Sequence, residues 1–444
     1  MGAVIHSAPL IVPVSRPPIP DGAMAVRHGV VLDVGPRREV LAAHPGGEEM
    51  RWPGVMVAGL VNAHTHLQYT RMAEVGRRVY DSFEEWSNAF DAVYFSSDGM
   101  DWEASAREGA LLSLRNGTTA VADVVTDIEA VSVLGQTGLA GISYLEVLGD
   151  TDASWAATGR RHLTSTVREL GGVDGGLRAV HLGTIGISPH APYTLDTGVL
   201  ADLAILARTF GLRQHIHLLE SVHEREYTVS GTGPIAHLVR ELGFDFEILR
   251  AGGTGHGPVA FLDALGLLGP QCHVAHGVHL DEDERELLRR RGVSVALCPR
   301  SNQTLGLDGP PVAALLREGG DFAVGTDSLA SSPSLDLLED VRLLRTLAWE
   351  QGYRAPDLSR RLVEAATIGG ARALGLATGP GRVGRLETGA RCDFAVFAID
   401  PGDGDPYRTL VEDGPGRCVA TVTGGDQAGR VHLVNSGTEA FREC

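Results

Sequence analysis

Residues 55–66 read V-M-V-A-G-L-V-N-A-H-T-H. An apolar run of this kind reads as a buried strand, and it leads directly into His64 and His66. Residues two apart on a strand share a face. Both imidazoles therefore reach one point just past the strand's end. That is the geometry of a metal-ligand pair, and it directs the search for whatever completes the site.

Working outward, strand-like segments recur at 119–125, 141–148, 182–188, 214–219, 271–278, 293–297 and 322–325. Helical patterns lie between or after them at 102–115, 153–170, 196–210, 281–291, 311–318, 335–350 and 356–374. With the segment at 55–62 this makes eight strands alternating with helices, which predicts an α/β fold, a (β/α)8 TIM barrel. The two ends differ from the middle. Pieces at 9–14, 22–27 and 30–34, and again at 392–399, 419–422 and 431–435, read as strands separated by turns. They predict a small β-sandwich domain built from residues 1–57 and 378–444, with the barrel at 58–377. The segment 221–258 is longer than the usual connection in a barrel and reads equally as a lid over the site or as a surface excursion.

A chain of 444 residues is long enough for one large and one small domain. Hydrophobic residues at 43% and charged residues at 21% are ordinary for a soluble globular enzyme. The net charge of −18 argues against a nucleic-acid partner. No leader-like segment and no apolar stretch of about 18 residues stands out, so no membrane is implied and the expected location is cytoplasmic. All 38 basic residues are arginine. Without lysine, Schiff-base chemistry and a metal site bridged by a modified lysine are both excluded. Cys272, Cys298, Cys392, Cys418 and Cys444 are scattered, which fits reduced thiols rather than a disulfide framework.

Barrel enzymes work at the C-terminal ends of their strands. Those ends carry His64 and His66, then His190 within Ser188–Pro192, then His217 and Glu220, then His276, Arg300–Asn302 and Asp327. One such histidine in an apolar strand is ordinary; this many at equivalent strand ends is not. Three imidazoles with a carboxylate suit one divalent metal ion, Zn2+ first and Fe2+ second, with a position open for water. The ion brings that water's pKa toward neutrality. His215 shares the face of His217 one layer lower and is expected to pack or to support a ligand. His273 and His279 fall at odd spacings from His276 and are expected to face elsewhere.

The set His64-x-His66, His217-x-x-Glu220, His276 and Asp327 resembles the amidohydrolase superfamily in its single-metal branch. Within it, the chain looks like the deaminases of S-adenosylhomocysteine, methylthioadenosine and 6-amino-6-deoxyfutalosine. His190-Ala191-Pro192-Tyr193, Pro299-x-Ser301-Asn302, Leu305-Gly306, Gly325-Thr326-Asp327-Ser328 and Ser334-Leu335-Asp336 carry the likeness further. The resemblance implies that His64, His66, His217 and Asp327 bind the metal. Asp327 would also take a proton from the attacking water, His276 would orient that water, and Glu220 would carry the proton to a ring nitrogen. His190 would meet the ribose. Two departures bear on the substrate, a small adenine nucleoside. The W-P-x-E element that holds the ribose in such deaminases has no match after Phe83-Glu84-Glu85-Trp86. Glu146 stands where an arginine for an amino-acid tail is expected, which leaves Arg160 and Arg161 to pair with a substrate carboxylate. On these grounds the expected substrate is 6-amino-6-deoxyfutalosine, in a menaquinone route. The alternatives are S-adenosylhomocysteine, methylthioadenosine or adenosine, or the substrate of another amidohydrolase such as a guanine or cytosine deaminase or a chlorohydrolase. A homo-oligomer is compatible with all of these.

Overall fold

The computed structural model describes residues 2–97, 99–171, 184–402 and 404–424, together with the backbone of 430–433 and 441–443. Four strands come first: β1 (Val4–Val12), β2 (Ile19–Arg27), β3 (Val30–Pro36) and β4 (Glu48–Arg51). The stretch read from the sequence as one strand is two, β5 (Val55–Ala58) and β6 (Leu60–Thr65). They belong to different sheets. Gly59 makes the junction. Its N–H donates to the Asp393 carbonyl at 2.9 Å, and a Cβ there would lie 2.1 Å from Thr119 Oγ1. Only glycine fits where the chain crosses from one sheet to the other. The division is invisible in the residue pattern because every residue of both strands is buried.

β6 continues into β7 (Thr118–Val125), β8 (Ala140–Val147), β9 (Thr184–Pro189), β10 (Gln214–Leu218), β11 (Cys272–His276), β12 (Ser294–Leu297) and β13 (Phe322–Val324). These eight strands pair in sequence order, all in parallel, with helices between them: a nearly closed (β/α)8 barrel. The seam between β6 and β13 is bridged by Asn62. Its Oδ1 accepts from the Thr326 amide at 3.1 Å, and its Nδ2 donates to Thr326 Oγ1 at 2.8 Å. Gly325 permits the approach, since a Cβ there would stand 2.8 Å from that of His64. The expected fourth strand began at 182, and residues 182–183 lie outside the described residues.

β5 pairs with β1 and with β14 (Phe394–Phe397), and β15 (Cys418–Thr423), β16 (Arg430–Leu433) and β17 (Phe441–Glu443) extend the same sheet. Both ends of the chain thus build a separate nine-stranded sheet. Of the expected strand 431–435, residues 434–435 lie outside the described residues. A helix at Arg37–Ala43, not foreseen from the sequence, seats Val40 among Ala3, Ile5, Ala23 and Ala25. The long segment after β10 forms four helices, Val222–Ser230, Gly233–Glu241, Glu247–Ala251 and Pro258–Ala264. The first of them brings His223 Nδ1 to Glu84 Oε1 at 2.8 Å, tying the segment to the helix Phe83–Tyr94 that follows β6. Among the described residues no helix is long and apolar enough to cross a membrane.

Candidate active site

The ends of β6, β10 and β13 bring four donors together. His66 Nε2 lies 3.3 Å from His217 Nε2. Asp327 Oδ1 lies 3.5 Å from His64 Nε2 and 3.8 Å from His66 Nε2. Ligands about 2.1 Å from a tetrahedral zinc ion stand about 3.4 Å from one another, and these three separations are near that value. The donor atoms of His64, His66 and His217 all lie within 4.8 Å of one another, as do those of His64, His276 and Asp327. His64 Nε2 is buried with no hydrogen-bond partner. A buried nitrogen left bare is costly unless something sits against it, and a cation at the centre of the four donors meets that need.

The protonation of the rings agrees. His215 Nδ1 donates to the His273 carbonyl at 3.2 Å, so its Nε2 accepts from His64 Nδ1–H at 2.7 Å. That leaves the lone pair of His64 Nε2 facing the cradle. His217 Nδ1 donates to the His190 carbonyl at 3.1 Å, which likewise bares its Nε2. His215, placed one layer down by its i−2 spacing from His217, therefore holds the orientation and tautomer of His64. His273 stacks on it at 3.9 Å between centroids, with Tyr144 at 5.4 Å from both rings. Buried alanines at 63, 120, 122, 296 and 323 leave room for these large rings in the barrel interior. Replacing His215 with phenylalanine is expected to weaken metal binding about 10–100-fold with the fold intact, as read by competition with a chelator.

Two carboxyls flank the cradle with opposite proton affinities. Burial pushes Glu220 well above the usual carboxylate range, and Asp327 and Glu224 add to it. Burial also raises Asp327, but the imidazoles of His64, His66 and His276 facing it more than reverse this and hold it well below. Ser301 Oγ and the Ser328 amide each donate to the Asp327 carboxylate at 2.7 Å. His276 Nε2 lies 3.5 Å from Glu220 Oε1, and burial, then His64, lower its pKa to about 3. Leu219, His276 and Asp327 carry φ angles of 51°, 72° and 60°. Left-handed backbone at non-glycine residues is strained and collects at functional sites. The turn at His276 also explains why His273, three residues earlier, lies inside the barrel too: the regular alternation ends there.

His190, just past the end of β9, packs tilted against His217 with ring centroids 4.6 Å apart, its Nε2 4.0 Å from Glu146 Oε1. Burial pushes the Glu146 carboxyl up to about 7. The sequence named Glu146 only as a departure; its i,i+2 relation to Tyr144 was the available sign that it points inward. The structure does not bring Arg160 and Arg161 to this site. Arg160 Nε donates to Asp202 Oδ2 at 2.7 Å on the helix Thr197–Phe210, half-exposed. Arg161 is exposed on the same outer helix, Arg160–Gly171. That helix begins after a π-turn at Trp155–Gly159, so sequence spacing alone misplaces its faces.

Residues 55–428 match the amidohydrolase family. The chain is 31% identical over 366 residues to a protein of Natronomonas pharaonis named 5-methylthioadenosine/S-adenosylhomocysteine deaminase, covering 80% of this chain and 76% of that one. A protein of the same name from Pelotomaculum thermopropionicum is 31% identical over 386 residues, 85% of this chain and 80% of that one. An adenosine deaminase from Xanthomonas campestris with bound zinc superposes with a TM-score of 0.76 at 25% identity, over 97% of this chain and 93% of that one. The aminofutalosine deaminase of Helicobacter pylori, in complex with methylthio-coformycin, shares the fold with a TM-score of 0.80 at 18% identity, over 96% of this chain and 99% of that one. With the match running from β5 to beyond β15, across every strand that supplies the cradle, the chain belongs to the amidohydrolase family.

Proposed function

We propose that this amidohydrolase removes the 6-amino group of an adenine nucleoside by hydrolysis, releasing ammonia and leaving a 6-oxo purine. The observation that carries the reading is the pair Glu220 and Asp327, two carboxyls beside one cradle whose environments push their proton affinities apart. A divalent ion held by His64, His66, His217 and Asp327, with zinc the ordinary occupant of such donors, supplies a Lewis acid that makes water nucleophilic near neutral pH. Asp327, ionised, accepts a proton from the attacking water. His276 orients that water. Glu220 holds a proton on its carboxyl and delivers it to N1 of the purine, which makes C6 electrophilic. A C6–O bond forms and the C6–N bond breaks; the proton that Asp327 took from the water leaves with the amino group as ammonia, and the hydroxyl proton returns to Glu220 as the 6-oxo group forms.

The expectation of 6-amino-6-deoxyfutalosine leaned on Arg160 or Arg161 to receive a substrate carboxylate. Arg160 is bonded to Asp202 instead, and the carboxyl of Glu146 lies beside His190. The relatives named for methylthioadenosine and S-adenosylhomocysteine support an adenine nucleoside in general. We therefore order the substrates with methylthioadenosine and adenosine ahead of aminodeoxyfutalosine. With zinc restored, ammonia release should be found with the first two, and kcat/KM for aminodeoxyfutalosine should be lower by about tenfold, the equivalent of about 1.4 kcal/mol of charge repulsion. A protein that releases no ammonia from any adenine nucleoside but acts on guanine, cytosine or a chlorotriazine would sink the proposal.

A further inference from the structure

We infer that Glu146 and His190 together form a two-acceptor site for a vicinal diol, which makes Glu146 a specificity residue that selects ribonucleosides over deoxynucleosides. The inference rests on the nucleoside reading above. Glu146 stands near the end of β8 with its side chain 3% exposed. Its Oε2 is committed, accepting from Thr126 Oγ1 at 2.5 Å; Thr126 Oγ1 in turn accepts from the Tyr69 hydroxyl at 2.7 Å. Tyr69 stacks on His66, so this chain of bonds anchors Glu146 to the cradle. The other oxygen, Oε1, is buried and receives no hydrogen bond.

His190 offers a matching acceptor. The Thr194 hydroxyl spends its hydrogen on the Ala191 carbonyl at 3.2 Å, so it accepts from His190 Nδ1–H at 3.0 Å. His190 Nε2 is then a bare lone pair, on a side chain 23% exposed. It lies 4.0 Å from Glu146 Oε1. Two acceptors at that distance do not bond each other, and both require donors. Two hydroxyls on adjacent ring carbons supply one O–H to each. A site built to bond substrate hydroxyls rejects the analogue lacking them, because its own buried acceptors are then left unpaired.

The test compares adenosine with 2′-deoxyadenosine, 3′-deoxyadenosine and 2′,3′-dideoxyadenosine, in the wild type and in Glu146→Ala and Glu146→Gln. In the wild type, kcat/KM for the dideoxy substrate should be lower by about 10⁴-fold, with each monodeoxy substrate in between. Glu146→Ala should shrink that ratio by about a hundredfold, by lowering adenosine while leaving the dideoxy substrate unchanged. A purely structural role would lower both alike, and that result overturns the inference. So does a wild type that accepts the dideoxy substrate within about threefold of adenosine, a ratio that decides the matter even where the alanine variant does not fold. Glu146→Gln keeps the side-chain volume and separates lost packing from a lost acceptor. If no adenine nucleoside is turned over, the proposed reaction fails, and the diol site is decided by calorimetry of inosine against 2′,3′-dideoxyinosine. Equal binding of those two overturns it.

Discussion

Glu220→Gln is expected to lower kcat by about a thousandfold while the protein retains its metal. The amide keeps the size and shape of the carboxyl in a pocket where Glu220 is 6% exposed. What it loses is the ability to accept a proton at one moment and release it at the next. Burial, reinforced by Asp327 and Glu224, raises the proton affinity of Glu220, which suits it to carry the proton that N1 of the purine needs. Glutamine has none to give at any pH. Glu220 stands outside the four-donor cradle, so bound metal measured by elemental analysis should equal that of the wild type. KM should move only a few-fold, because the interaction lost belongs to the transition state. Turnover within about tenfold of the wild type would remove Glu220 from the proton path.

The sequence carried the barrel because strands buried on both faces read as unbroken apolar runs, and because helical patterns of ordinary length separate them. The same property concealed the division at Gly59. Two strands buried on all sides leave no polar residue to mark where one sheet ends and the next begins, and the clash of a Cβ with Thr119 involves a residue 60 positions away. Two of the cradle's donors were legible because their spacing is local: His64 and His66 are an i,i+2 pair on one strand, and His217 follows His215, which supports His64, at the same spacing on another. His273 was not legible, since its place inside the barrel depends on the left-handed turn at His276. Arg160 was misread for a similar reason. Its partner, Asp202, lies 42 residues away on a neighbouring helix, and no short-range pattern reports such a pairing.

Asp327→Asn is expected to lose both metal and rate, which separates it from the Glu220 variant. Asparagine is the informative replacement here because Asp327 has φ of 60°. Asparagine tolerates that conformation, whereas alanine adds backbone strain and confuses lost chemistry with lost stability. The new side chain keeps one acceptor: its Oδ1 can still accept from the Ser328 amide, and its Nδ2 can donate to a Ser301 hydroxyl turned to accept, so the turn after β13 should survive. The charge does not survive. In the wild type that charge faces His64 Nε2 and His66 Nε2 at 3.5 and 3.8 Å, and it is the only negative donor among the four. Without it, three neutral imidazoles must hold the ion alone, and the attacking water loses its proton acceptor. Several kcal/mol of Lewis-acid stabilisation, at about 1.4 kcal/mol per tenfold, amounts to a rate loss on the order of a thousandfold. Excess zinc should restore occupancy before it restores rate, because filling the cradle replaces the ion but not the carboxylate that takes the proton. If added zinc brought turnover back fully, Asp327 would be a ligand and nothing more, and the proton would have to leave the water by way of Glu220 or His276.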